Sequence, residues 1–158
     1  MKRGFFVTVG VVIPAAGIGK RMGTKESKQF LELKGKPILL HTLSIFETHP
    51  EVNEVVITVR EEEIEKTKEL IKKYGLQKVH RVVKGGTSRQ ESVFNGLQWL
   101  ETEWVLVHDA VRPFVTHEEI TNLLVAVRKY NAAVLAVPVK STMKMVDENG
   151  MICMTPNR

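Results

Sequence analysis

Cysteine is almost absent: Cys153 is the only one in 158 residues. An internal disulfide and a multi-cysteine zinc site are therefore excluded, and a reducing compartment fits. Aromatic residues are also scarce, at 6%, with two Trp and two Tyr. That argues against a platform on which single-stranded bases could stack. No apolar run approaches the roughly 20 residues needed to span a bilayer. The longest runs, such as Ala132 to Val137, have the length of a buried strand. The N-terminus has a basic start, Lys2-Arg3, and a short apolar patch. It lacks the long apolar core and small-residue cleavage site of a signal peptide. A cytoplasmic protein without membrane segments is expected. His41, His49, His80 and His117 show no metal-ligand spacing, and His108 reads as a packed strand-end residue.

Hydrophobic residues make up 43% and charged residues 26%. These are ordinary values for a soluble globular chain of one domain, or one domain plus an arm. The net charge of +5 favours polyanionic partners, either nucleic acid or phosphorylated small molecules. The segment richest in charge, Glu61 to Lys73, mixes both signs. Lys20, Arg21, Lys25, Lys28, Arg89 and Arg112 read instead as unpaired basics in loops. That pattern favours a phosphate-rich ligand over nucleic acid.

Strand and helix patterns alternate along the chain. Short apolar runs predict strands at Val11–Ile13, Val55–Val59, Val79–Val83, Trp104–Val107 and Ala132–Val137. Helical spacing predicts helices over 38–49, 61–74, 89–101 and 117–130. Pro37 suits a first helical position, Gly75 a C-terminal cap, and Thr116 to Glu119 a capping box. Three glutamates at Glu61 to Glu63 and Lys72-Lys73 suit the dipole of the second helix. Such alternation with near-continuous apolar strands implies an α/β three-layer sandwich with a mostly parallel sheet. Ligands of such sheets bind beyond the carboxyl ends of the strands, in the loops after residues 13, 59, 83, 107 and 137. The alternation fails after residue 139. Residues 140–158, with a turn signal at Asp147 to Gly150, read as a protruding β-hairpin arm beside a domain of residues 1–139.

The first loop, Pro14 to Gly23, follows the first strand. It fails as a P-loop, because Arg21 follows Gly19-Lys20 and Pro14 holds the first glycine position. It fails as a dinucleotide fingerprint, because Met22 holds the third glycine position. What remains is a glycine-containing anion cradle with cations at Lys20, Arg21 and Lys28. Cations around a cradle suit a triphosphate attacked at its α-phosphorus.

Val12-Ile13-Pro14-Ala15-Ala16-Gly17-x-Gly19-x-Arg21-Met22, followed by Lys28-Gln29-Phe30, resembles the signature of the 2-C-methyl-D-erythritol 4-phosphate cytidylyltransferases. Three later segments are similar to that family in order. They are Gly85-Gly86-x-x-Arg89-x-x-Ser92, Val107-His108-Asp109-Ala110-Val111-Arg112-Pro113-Phe114, and Pro138 to Lys144. The resemblance implies a Rossmann-like nucleotidyltransferase fold that joins CTP to a polyol phosphate. It also implies Mg²⁺ as cofactor and a homodimer formed through the β-arm, with no nucleic acid or membrane partner.

Residue roles follow from the same resemblance. Arg21 and Lys28 correspond to the cations that stabilise the transition state. Ala15, Ala16, Gly17, Gly86, Ser92 and Ala110 correspond to nucleotide contacts. Asp109 corresponds to a metal and substrate ligand, Arg112 and Thr142 to substrate contacts, and Arg158 to the arm arginine that positions the substrate phosphate. Thr87 stands where the family often has an acidic residue. The family continues past Arg158, so the chain reads as truncated at its C-terminus, which puts its activity as it stands in question. Two alternatives are a ribitol 5-phosphate cytidylyltransferase, whose first loop usually has Ala-Gly-Gly in place of Ala15-Ala16-Gly17, and a non-catalytic nucleotide-binding module.

Overall fold

The computed structural model describes residues 8–17 and 27–157. The chain divides into two compact units, Met1–Ile120 and Thr121–Arg158.

The first unit is built on β1 (Val9–Pro14), β4 (Glu54–Val59), β5 (Val79–Lys84) and β6 (Trp104–Val107). They form one sheet in the order β5-β4-β1-β6, and all three pairings are parallel. The expected α/β class with a parallel sheet is therefore what the chain adopts. Val9, Val11, Val12 and Ile13 of β1 and Val55, Val56, Ile57 and Val59 of β4 are buried. These are the two central strands, and strands covered on both faces have no polar side to alternate with. The edge strands are less covered: His80 and Arg81 of β5 and Val105 and Val107 of β6 are exposed.

Between these strands run α1 (Ile38–Thr48), α2 (Ile64–Lys73) and α3 (Arg89–Leu97). Helix α1 buries Leu39, Leu40, Leu43 and Phe46 at the spacing of one helical face. Pro37 caps α1 rather than opening it. Glu61–Glu63 form a separate 3₁₀ turn ahead of α2. Gly75 closes α2 with a φ of +65°, and its N–H donates to the carbonyl of Lys72. Helix α3 stops at Leu97, short of the predicted end at 101. It lies close on the sheet, because a Cβ at Gly96 would stand 2.6 Å from Cγ1 of Val12. Only glycine permits that approach without displacement.

A short hairpin, β2 (Glu32–Leu33) and β3 (Lys36–Pro37), precedes α1. Lys34 and Gly35 turn it with φ of 52° and 73°, the pair of positive angles a two-residue hairpin needs.

Helix α4 (His117–Tyr130) has the expected capping box: Glu119 N–H donates to Thr116 Oγ1 and Thr116 N–H to Glu119 Oε2. In the second unit, β7 (Met145–Val146) and β8 (Ile152–Met154) pair antiparallel. Asp147 fixes their turn, its Oδ1 accepting from the N–H groups of Asn149 and Met151. The strand expected at Ala132–Val137 does not form. Those residues join none of the sheets, and Val134 and Val137 are 84% and 85% exposed. An apolar run becomes a strand only when a neighbouring strand takes up its N–H and C=O groups.

Candidate active site

The loop after β1 is anchored at its root. Ala15 N–H donates to the Thr58 carbonyl at 2.7 Å, and the Ala15 carbonyl accepts from Gln29 Nε2 at 2.7 Å. Ala15 is buried, Ala16 half-buried and Gly17 exposed. Ala15 thus spends its own amide on the sheet, and the loop opens toward solvent at Ala16 and Gly17. Arg21 lies outside the described residues. Lys28 opens a 3₁₀ turn, Lys28–Phe30, between the buried side chains of Ser27 and Gln29.

A brace that sequence reading missed holds that turn. Arg60 Nη2 donates to Ser27 Oγ at 2.7 Å and to Glu63 Oε1 at 2.6 Å. Gln29 Nε2 reaches Glu63 Oε2 at 3.1 Å. The hydrogen bond to Glu63, then the charges of Glu63 and Glu62 against the opposing effect of burial, hold the Arg60 guanidinium above its ordinary range. Glu63 is one of the three glutamates expected to suit the dipole of the second helix. Its side chain is 7% exposed, because it ties the end of β4 to the Lys28 turn. The signal was the i,i+3 spacing of Arg60 and Glu63 just beyond a strand.

The second loop joins β5 to α3. Gly85 N–H donates to the Val59 carbonyl at 2.7 Å, and a Cβ on Gly85 would meet the Ala16 Cβ at 2.5 Å. The first and second loops are thus in contact, through a glycine. Gly86 N–H donates to Ser92 Oγ at 3.0 Å, and Ser92 Oγ donates to the Ser88 carbonyl at 2.9 Å. Ser92 is buried and fixes the shape of the loop. Ser88 caps α3 by accepting from Glu91 N–H. Thr87 gives both its N–H and its hydroxyl to Glu91 Oε2 at 2.7 Å. These bonds, the hydroxyl first, pull the Glu91 carboxyl below its usual range.

The third loop follows β6. Ala110 is buried, and its carbonyl accepts from Thr42 Oγ1 of α1 at 2.9 Å. His108 stacks edge-on against Phe46 at 5.1 Å, and its ring lies 2.9 Å from the Arg112 carbonyl. Burial pushes its pKa down, against the raising effect of that bond. It is the packed strand-end residue expected. Asp109 Oδ1 accepts from Arg89 Nε at 3.0 Å and Nη2 at 2.9 Å, and Oδ2 forms an ion pair with Arg112 Nε at 3.0 Å. The expectation that Arg89 and Arg112 are unpaired loop basics is therefore corrected. Arg89 opens α3, and its guanidinium shares Asp109 with Arg112, since a carboxylate has lone pairs for two guanidinium groups.

These loops lie beyond the carboxyl ends of the strands. The chain leaves β1 toward β4 and β5, then returns to β6 on the other side of β1. The crevice of an open α/β sheet sits at such a reversal, here flanked by the loops after β1 and β6. Arg89 crosses to the third loop from the second. Thr142 lies exposed in the second unit, and Arg158 lies outside the described residues.

A magnesium ion usually draws on one or two protein carboxylates, with phosphates and waters completing its shell. Asp109 would supply one carboxylate, which an ion would have to share with Arg89 on Oδ1 and Arg112 on Oδ2. No cluster of three or more His, Cys, Asp or Glu able to hold a metal occurs among the described residues. This donor set fits an ion carried mainly by a bound triphosphate. Among the described residues, no helix is long and apolar enough to cross a membrane.

The chain is similar over most of its length to proteins of one name. A protein of Alkaliphilus metalliredigens named 2-C-methyl-D-erythritol 4-phosphate cytidylyltransferase is 49% identical over 153 residues, covering 95% of this chain and 64% of its own. One of the same name from Halalkalibacterium halodurans is 52% identical over 143 residues, covering 90% and 63%. The chain thus spans just under two thirds of the relatives it matches. The crystal structure of 4-diphosphocytidyl-2C-methyl-D-erythritol synthase from Anaerococcus prevotii superposes with a TM-score of 0.82 at 30% identity, covering 96% of this chain and 65% of that one. The family model described as IspD, 2-C-methyl-D-erythritol 4-phosphate cytidylyltransferase, matches residues 9–158, a span that holds all three loops, and the chain belongs to that family.

Proposed function

We propose that this site transfers CMP from CTP to 2-C-methyl-D-erythritol 4-phosphate. The products are pyrophosphate and 4-diphosphocytidyl-2-C-methyl-D-erythritol, a step of isoprenoid precursor biosynthesis. The observation that carries the reading is the contact of the first two loops at Ala16 and Gly85, with the Asp109 loop joined to the second through Arg89. A phosphate cradle, a base loop and an acid-and-arginine loop then share one end of the sheet.

In this reading a phosphate oxygen of the polyol phosphate attacks the α-phosphorus of CTP. The bond from that phosphorus to the pyrophosphate oxygen breaks, and pyrophosphate leaves with the electron pair. The nucleophile is already anionic, so no side chain need remove a proton. Ala16 and Gly17 face the phosphates, and Gly86 and Ser92 shape the pocket for cytosine. Lys28 and Arg21 stabilise charge as it spreads over the phosphoryl oxygens. Arg112 receives the polyol phosphate, while Thr142 and Arg158 serve the site of the other subunit in the proposed dimer, where Arg158 orients the phosphate by a two-pronged grip. Mg²⁺, held by the triphosphate and Asp109, would neutralise charge on the phosphates. The reading includes a cytoplasmic location.

The reading further includes a two-fold homodimer formed through the β7–β8 hairpin. Met145, Val146, Met151, Ile152 and Met154 are exposed on it. An isolated two-stranded hairpin is marginal in water, and methionine suits an adaptable contact.

The test is pyrophosphate release by the complete protein. Release is expected with CTP and 2-C-methyl-D-erythritol 4-phosphate. Faster release with ribitol 5-phosphate, or with ATP in place of CTP, would overturn the assignment.

A further inference from the structure

Arg89 opens α3, the helix whose next turn carries Ser92. Its Nε and Nη2 both donate to Asp109 Oδ1, at 3.0 and 2.9 Å, across 20 residues of sequence. Asp109 Oδ2 is taken by Arg112 Nε at 3.0 Å. Asp109 is thereby held from two directions, by the helix of the base loop and by its own loop. Two guanidiniums on one carboxylate leave the cluster with a net positive charge, suited to an anionic group. The side chains of Arg89 and Arg112 are 62% and 73% exposed, whereas Asp109 is 32% exposed. Little packing rests on Arg89. Its main bond is to the carboxylate.

Helix α3 makes this reach possible. It crosses close over β1 and β4, as the approach of Gly96 to Val12 and Thr58 requires. Its first residue can then meet a loop that follows β6, although β5 and β6 are opposite edges of the sheet. We infer that Arg89 is a positioning residue, which acts through Asp109 to orient Arg112 toward the polyol phosphate and so links the base loop to the second-substrate loop. The inference rests on the proposed cytidylyl transfer. With Arg89 in place, Asp109 turns the Arg112 side chain through Nε and leaves its terminal nitrogens to the substrate. Without it, the carboxylate is held by Arg112 alone, and the pair can swing as a unit.

The experiment uses the complete protein in four forms: wild type, Arg89→Ala, Asp109→Ala and the double variant. Each is assayed for pyrophosphate release with either substrate varied, alongside its thermal unfolding. In the wild-type background Arg89→Ala is expected to lower kcat/KM for the polyol phosphate about tenfold or more, with the KM for CTP changed less than about threefold and an unchanged unfolding temperature. In the Asp109→Ala background it should have no further effect, since residues acting as a unit are not additive. Losses that multiply, a loss confined to the KM for CTP, or no loss at all in an active wild type would each overturn the role of Arg89. A wild type that releases no pyrophosphate from CTP and 2-C-methyl-D-erythritol 4-phosphate would instead overturn the functional reading, and the inference with it.

Discussion

The side-chain amide of Gln29 donates to the Ala15 carbonyl at 2.7 Å, joining the root of the first loop to the Lys28 turn. The same nitrogen reaches Glu63, which also binds Arg60. Glu63→Ala leaves the Arg60 guanidinium without its buried partner. Breaking such a pair costs about 3 to 5 kcal/mol when fully buried. Arg60 keeps some solvent contact, so a loss of about 2 to 3 kcal/mol in urea unfolding is expected. Gln29→Leu keeps the volume but frees the turn. It should lower kcat for cytidylyl transfer by about tenfold, and it also costs roughly 1 to 3 kcal/mol of stability, because the Ala15 carbonyl and the Glu63 carboxylate lose a buried donor. Unchanged kcat in Gln29→Leu would show that the brace does not position Lys28.

Two glycines separate packing from function. Gly96→Ala places a Cβ 2.6 Å from Val12 Cγ1 and 3.1 Å from Thr58 Cγ2. Overpacking of this kind costs about 1 to 3 kcal/mol, against roughly 1 kcal/mol gained in helix propensity. Net destabilisation is expected, read from the unfolding midpoint. Gly85→Ala places a Cβ 2.5 Å from that of Ala16, so the first loop must shift. Titration calorimetry should show CTP affinity lowered by about tenfold or more, while stability changes little. The reverse pattern would contradict the loop contact.

Stability should fall on mild acidification. His49 is fully buried, and its Nδ1 accepts from Glu51 N–H at 3.2 Å, a bond only an unprotonated nitrogen can accept. Burial first, and the neighbouring His117 next, lower its pKa from the ordinary 6.5. The unfolded chain therefore takes up the proton first. Stability is complete above about pH 6.5 and falls as the pH drops from there toward the folded pKa. His108 is lowered by burial as well and adds to the slope. Urea midpoints between pH 5 and pH 8 should show the loss, and His49→Gln should flatten part of it. A midpoint independent of pH would refute the account.

The sheet was legible because β1 and β4 are nearly continuous apolar runs, the mark of strands buried on both faces. Its strand order was not, since periodicity names elements without pairing them. Ala132–Val137 carries the same apolar signal as β1, yet pairing depends on a neighbour that the run itself does not specify. The three motif loops could be read from their glycines and spacing. The Arg89–Asp109 pair could not, because 20 residues and two elements separate its members. The Glu63 brace was hidden for a related reason: three adjacent glutamates look solvent-facing until the turn buries one of them. The β2–β3 hairpin had a signal in Lys34-Gly35, a two-residue turn ending in glycine.

The most direct test of cytidylyl transfer follows the label in CTP. The complete protein is incubated with 2-C-methyl-D-erythritol 4-phosphate and CTP carrying radioactive phosphorus at either the α or the γ position. Attack at the α-phosphorus predicts that α-label moves into the polyol product and γ-label into pyrophosphate. Label from the γ position on the polyol, or α-label remaining in a nucleoside diphosphate, would contradict the account.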